Sequence, residues 1–178
     1  MNGFARAFLS GTLVLLASGG VAQAQQLSVS SPAIKDGDRM QRNLGCEAGE
    51  HSPALNVAGV PAEAKTLAVL MTELDAPKGG ATLWMAYNIP AAPSVQIAEN
   101  QPRGRQMKGD GLQLPASGGK PGYSGPCPPP GVTRRYAVEV FALDTALELP
   151  ETANRQDYLL AIEGHILASG RITGKYKK

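Results

Sequence analysis

The stretch Pro121-Gly-Tyr-Ser-Gly-Pro-Cys-Pro-Pro-Pro-Gly-Val-Thr-Arg-Arg-Tyr136 decides the reading of this chain. Proline fixes φ and removes a backbone donor, while glycine reaches conformations that other residues avoid. A loop of this composition holds one shape. It leads straight into residues 135–143, whose apolar and β-branched content reads as a strand. Loops held on a rigid scaffold are where chains place binding groups. This one carries one of the two cysteines, two arginines and two tyrosines.

Outward from it, residues 66–72 (Thr-Leu-Ala-Val-Leu-Met-Thr) form a continuous apolar run of strand length, the mark of a buried strand. Residues 82–88, bounded by Gly79-Gly80 and Pro90, predict a second. Residues 27–34 read as a short β-like start containing Pro32. Lys35-Asp-Gly-Asp38 is a turn signal, and residues 43–53 a loop. Residues 93–125 hold much Gly, Pro, Gln and Ser with little periodicity, which predicts a long irregular excursion. Beyond Pro150, Tyr158, Leu159, Ile162 and Ile166 recur at helical spacing, with Thr152 or Asn154 as N-cap. Gly164 weakens the end of that helix, and residues 166–173 can return as a last strand. The pattern predicts a mainly β fold with a helix near the C-terminus.

The chain start has a different character. Arg6 precedes a small, apolar run over residues 7–21, and Ala22-Gln23-Ala24 follows. This is the build of a secretory signal peptide over residues 1–24, leaving residues 25–178 as one domain. The apolar run is shorter than the ~20 residues a spanning helix needs, so no membrane span is expected after cleavage. The expected location is periplasmic or secreted. Two cysteines in an exported chain predict one disulfide, Cys46–Cys127, because free thiols are disfavoured in an oxidising compartment. No CxxC motif points to thiol-redox chemistry.

The net charge is only +2. Basic residues are scattered, apart from Arg103/Arg105/Lys108 and the tail Arg171, Lys175, Lys177 and Lys178. Nucleic-acid binding needs a concentrated basic face, so no nucleic acid is expected. The tail reads as solvated surface charge.

Catalytic signatures fail one by one. Gly122-Tyr-Ser-Gly-Pro126 has proline where a nucleophile elbow needs its last glycine. Gly118-Gly-Lys120 lacks the upstream glycine and the following hydroxyl residue of a phosphate-binding loop. Asp36-Gly-Asp38 lacks the rest of a calcium loop. His51 and His165 lie far apart and in no zinc spacing. No catalytic set, metal site or cofactor is therefore expected. What remains is Glu73-Leu-Asp75, then Leu83-Trp84, then Arg134-Arg-Tyr136. Acids at the end of an apolar strand are costly to bury alone, and arginine can hold a carboxylate with two hydrogen bonds. A cluster of Glu73, Asp75, Arg134 and Arg135 follows. It can be the floor of a polar pocket, or an ion pair that anchors the Pro/Gly loop.

Several segments together resemble the phosphatidylethanolamine-binding protein (PEBP) family, in its bacterial Raf-kinase-inhibitor-like (YbhB/YbcL) branch. Ile34-Lys-Asp-Gly-Asp38 and Gly45-Cys-Glu-Ala-Gly-Glu-His-Ser-Pro-Ala-Leu55 resemble the family's early glycine-rich loop and S-P-x-L signature. Val60-Pro-Ala-Glu-Ala-Lys-Thr-Leu-Ala-Val-Leu70 resembles the strand before its acidic motif. Leu74-Asp-Ala-Pro77, Trp84 and the Asn88-Ile-Pro90 ending resemble D-P-D-A-P followed by H-W. The opening stretch resembles the segment that usually ends in H-R-Y. Ala142-Leu-Asp144 and Gly164-His-Ile-Leu-Ala168 match later segments.

The resemblance implies two antiparallel sheets with a helical segment near the C-terminus. It implies a small phosphate-like anion pocket at one end of a sheet, with Glu73, Asp75, Trp84, Tyr123, Arg134 and Tyr136 as ligand-binding residues. It also supports the Cys46–Cys127 bridge. The departures fall in that pocket. Glu73 stands for the usual Asp, Leu74 for Pro, Leu83 and Arg134 for the two histidines, and Val57 lies near the place of a tryptophan. With two acids beside it, Arg134 is expected to be neutralised rather than free for phosphate. The implied function is an exported, non-enzymatic binding protein with an altered anion pocket, its partner a small anionic ligand or a protein. The alternatives are an interaction or inhibitor module with a vestigial pocket, and a hydrolase, for which no nucleophile–base pair is seen. A homodimer stays open.

Overall fold

A strand that is apolar at every position needs cover on both faces. The computed structural model of the protein, which describes residues 25–76 and 81–178, provides that cover for residues 66–72. In chain order the strands are β1 (Gln25–Gln26), β2 (Ser28–Ser30), β3 (Leu55–Ala58), β4 (Thr66–Glu73), β5 (Ala81–Pro90), β6 (Ser94–Ile97), β7 (Leu112–Gln113), β8 (Thr133–Leu143) and β9 (Ile166–Lys177). Helix α1 (Arg155–Ile162) lies between β8 and β9. The large sheet has the order β1-β9-β8-β4-β5-β7, and β2-β3-β6 form the small one. Pairing is antiparallel, as the two expected antiparallel sheets require, with one short parallel pair, β1 on β9.

β4 sits inside the large sheet between β5 and β8, with seven consecutive buried residues. One face carries Leu67, Val69 and Met71, packed with Val138 and Val140 of β8 and with Leu55, Val57 and Ile97 of the small sheet. The other face carries Ala68 and Leu70, packed with Met85, Tyr87 and the helix residues Tyr158 and Ile162. Tyr158 is fully buried, and its hydroxyl donates to the carbonyls of Val69 and Ala86 at 3.1 and 3.0 Å. Those carbonyls lie where the β4–β5 register shifts, so the tyrosine satisfies acceptors that an irregular ladder leaves open.

The helix begins as its residues predict, and Asn154 rather than Thr152 is the cap. Its side chain accepts from Gln156 and Asp157, and Asp157 returns a bond to the Asn154 N–H. Residues 93–125 are not wholly irregular. β6 and β7 lie within them, and β6 pairs along its length with β3. Strands of two to four residues carry too little periodicity to be seen before their partners are placed. The last strand runs four residues past the predicted end, to Lys177, because β8 extends beside it to Thr133. The predicted signal segment, Pro77 and Gly79-Gly80 lie outside the described residues.

Candidate functional site

The acidic motif and the arginine pair meet because β4 and β8 are antiparallel neighbours with Glu73 opposite Tyr136. Along β8, Arg134 and Tyr136 point to one face and Arg135 to the other. Each arginine therefore meets a different acid. Arg134 Nη1 lies 3.7 Å from Glu73 Oε1 and also donates to the Asp75 carbonyl. Tyr136 donates its hydroxyl to Glu73 Oε2 at 3.3 Å. The Asp75 carboxylate accepts the Arg135 backbone N–H at 2.7 Å, and its Nη2 and Nε at 2.5 and 3.0 Å. The cluster forms as expected, with the Asp75 carboxylate held by Arg135 while Arg134 takes its carbonyl.

Electrostatics follow the same pairing. The Asp75 carboxyl is held below the usual range, first by the side chain of Arg135 and then by its backbone N–H. The Arg135 guanidinium is held up by the same contact. Burial pushes the Tyr136 hydroxyl far up, and the Glu73 charge adds to this. Arg134 Nε is buried with no hydrogen-bond partner among the described residues. Two arginines thus face two carboxylates, and the site is neutral within itself.

The Pro/Gly loop closes over this end of the sheet. Ser124 N–H donates to the Leu83 carbonyl at 2.8 Å, and Gly125 N–H to Glu50 Oε1 at 3.3 Å. A Cβ on Gly125 would lie 2.4 Å from the Leu44 carbonyl oxygen, so only glycine allows the approach. The Cys46–Cys127 disulfide joins the two loops with a Cα–Cα distance of 5.4 Å, beside a Cys46 N–H bond to the Pro126 carbonyl. Tyr123 donates to the Leu44 carbonyl at 3.1 Å and meets the Trp84 ring edge-on at 5.9 Å. Burial pushes the Tyr123 hydroxyl well up.

Of the six expected ligand residues, Glu73, Asp75, Arg134 and Tyr136 come together. Trp84 is wholly buried and serves as a strut: its indole N–H donates to Gln113 Oε1 at 2.8 Å, and Gln113 in turn holds the Pro102 and Gly104 carbonyls. A ligand cannot reach Trp84 or the buried Tyr136 without displacing core. Tyr123 instead borders a cleft of about 350 Å³, with Arg103, Lys120 and Ser124. Sequence reasoning missed Glu50, which joins the loops by holding both Gly125 and Arg103, the latter at 2.5 Å. Its signal in the sequence was an acid inside a glycine-rich loop, and in the fold it stands at φ 51°.

The sequence model described as phosphatidylethanolamine-binding protein matches residues 30–177. A UPF0098 protein of Methanothermobacter thermautotrophicus is 37% identical over 152 residues, covering 85% of this chain and 99% of that protein. One of Aquifex aeolicus is 35% identical over 156 residues, covering 85% and 89%. Among solved structures, a phosphatidylethanolamine-binding protein homolog of Chlamydia trachomatis superposes with TM-score 0.75 at 29% identity, over 86% of this chain and 99% of that one. E. coli YbcL, described as a member of the mammalian PEBP family, superposes with TM-score 0.75 at 28% identity and the same coverage. With its strand order, its closing Pro/Gly loop and these matches in agreement, the chain belongs to the phosphatidylethanolamine-binding protein family.

Proposed function

We propose that this chain is an exported, non-enzymatic binding protein of the PEBP type, altered so that the family's anion site is filled from within. One observation carries the reading: Arg134 is engaged by Glu73 and by the Asp75 carbonyl, and the Asp75 carboxylate by Arg135. Leu83 replaces a donor with an apolar wall. A phosphate entering here would compete with two carboxylates already in place. Export is supported by the disulfide, which an oxidising compartment favours.

The test is residue-resolved NMR of the oxidised protein during titration with phosphate and phosphoethanolamine. The amides of Glu73, Asp75, Arg134 and Tyr136 should show no saturating shift. Saturation there at millimolar ligand would overturn the reading. N-terminal sequencing of the exported protein should begin at Gln25.

The interaction-module reading has one observation in its favour. Beside α1, Phe141, Leu159, Leu160 and Ile166 border a groove of about 600 Å³, and Leu160 is 59% exposed. Self-association through this face predicts a dimer in sedimentation equilibrium that Leu160→Asp dissociates.

A further inference from the structure

The basic tail expected as solvated charge is a strand, and its end builds a cleft. The strap over residues 38–42 is stitched alongside β9. Met40 N–H donates to the Lys175 carbonyl at 2.9 Å, and Lys175 N–H to the Asp38 carbonyl at 2.8 Å. Arg39 and Arg42 of the strap and Lys175, Lys177 and Lys178 of the tail then line one concave space of about 270 Å³. Alternation along β9 turns Tyr176 inward and leaves Lys175 and Lys177 outward. Tyr176 and Met40 are buried beneath the cations, and the tyrosine hydroxyl donates to the Arg42 carbonyl at 3.2 Å.

These cations have few acidic partners. Arg103, Arg105, Arg134, Arg135 and Arg171 each lie within 4.0 Å of a carboxylate. Among the described residues, Arg39, Lys175, Lys177 and Lys178 make no ion pair, while Arg42 pairs with Glu47 at 4.0 Å. The other acid nearby, Asp38, is held by Lys35 and by the Arg39 backbone N–H, with Lys175 at longer range. The cations gathered around this space outnumber the acids beside it and repel one another, and a multiply charged anion removes that cost.

We infer that this cleft is an anion site for a phosphate-bearing small molecule or head group. Arginine forks suit pairs of phosphate oxygens, and lysines supply point charges around them. A carboxylate offers only one charge and two oxygens to these cations. The space is too small for a helix or a folded chain. The inference does not rest on the reading of the Glu73 site, since the two sites share no side chain.

The experiment titrates the oxidised protein with inorganic phosphate and with pyrophosphate at constant ionic strength, followed by amide NMR. Saturating shifts should appear over residues 38–42 and 174–178. The double variant Lys175→Gln, Lys177→Gln should weaken the apparent affinity about three- to tenfold, as expected for rim cations. Arg103→Gln, at the other basic cleft, should leave it unchanged. In parallel, vesicles of phosphatidic acid in phosphatidylcholine are compared with phosphatidylcholine alone by co-sedimentation. Saturation by soluble anions assigns a free ligand. Sedimentation with phosphatidic acid alone, lost in the double variant, assigns a lipid head group. Failure of both arms, or binding unaltered in the double variant, overturns the inference.

Discussion

Arg134→Ala tests whether the altered pocket is held shut by its own charges. The side chains of Arg134 and Glu73 are 27% and 17% exposed, and their contact is a single one at 3.7 Å. Breaking a fully buried pair costs about 3–5 kcal/mol, while an exposed pair is worth about 0–1. This pair lies between those limits, at about 1.5–2 kcal/mol. Loss of the bond to the Asp75 carbonyl adds about 1 kcal/mol. The Glu73 carboxylate would keep only its bond from Tyr136. A total near 2–3 kcal/mol lowers Tm by about 4–12 °C in a domain of this size. Urea denaturation of the oxidised protein measures it. A cycle with Glu73→Gln separates the pair from other losses: Arg134→Ala should cost about 1.5–2 kcal/mol less in that background. A variant within 0.5 kcal/mol of wild type, or a cycle with no coupling, refutes the reasoning.

Three further outcomes follow from the same geometry. Replacing both Cys46 and Cys127 by Ser opens a cross-link with a sequence separation of 81 and should cost up to about 4.5 kcal/mol by the chain-entropy model; an unchanged urea midpoint would refute it. Gly45→Ala places a methyl 2.0 Å from the Tyr176 ring, so it should destabilise by about 1–3 kcal/mol or more, with partial rescue by Tyr176→Ala; a thermal melt like wild type counts against the packing. Asp75 is depressed in the folded state, so its contribution is present above its unfolded value near 3.8 and is lost as pH falls through the folded value. Asp75→Asn should flatten the loss of stability below about pH 4, and an equal slope in acid denaturation would contradict the Arg135 pairing.

The long elements were legible because their signals are local. Residues 66–72 announce a strand covered on both faces, and β4 has that cover on both sides. The spacing of Tyr158 and Ile162 behind Asn154 announces the helix, and the cap closes through its own neighbours. The short strands β3, β6 and β7 were not legible, since two to four residues become strands only when a partner supplies the ladder. The same limit explains β1, whose parallel place on β9 depends on where the chain has returned by residue 168.

At the site, sequence chemistry determined that the acids after β4 would meet the arginines before Tyr136, because a carboxylate leaving an apolar strand needs a cation. It did not determine which acid meets which arginine. The β4–β8 register and the two-residue period of β8 decided that, turning Arg134 to Glu73 and Arg135 to Asp75. The composition of the tail determined its charge. Only the tertiary structure made that charge concave, by laying the strap of Arg39 and Arg42 against Lys175 through backbone bonds that carry no side-chain signal. Local periodicity and charge are written along the chain, whereas register and the approach of distant loops exist only once the sheets have closed.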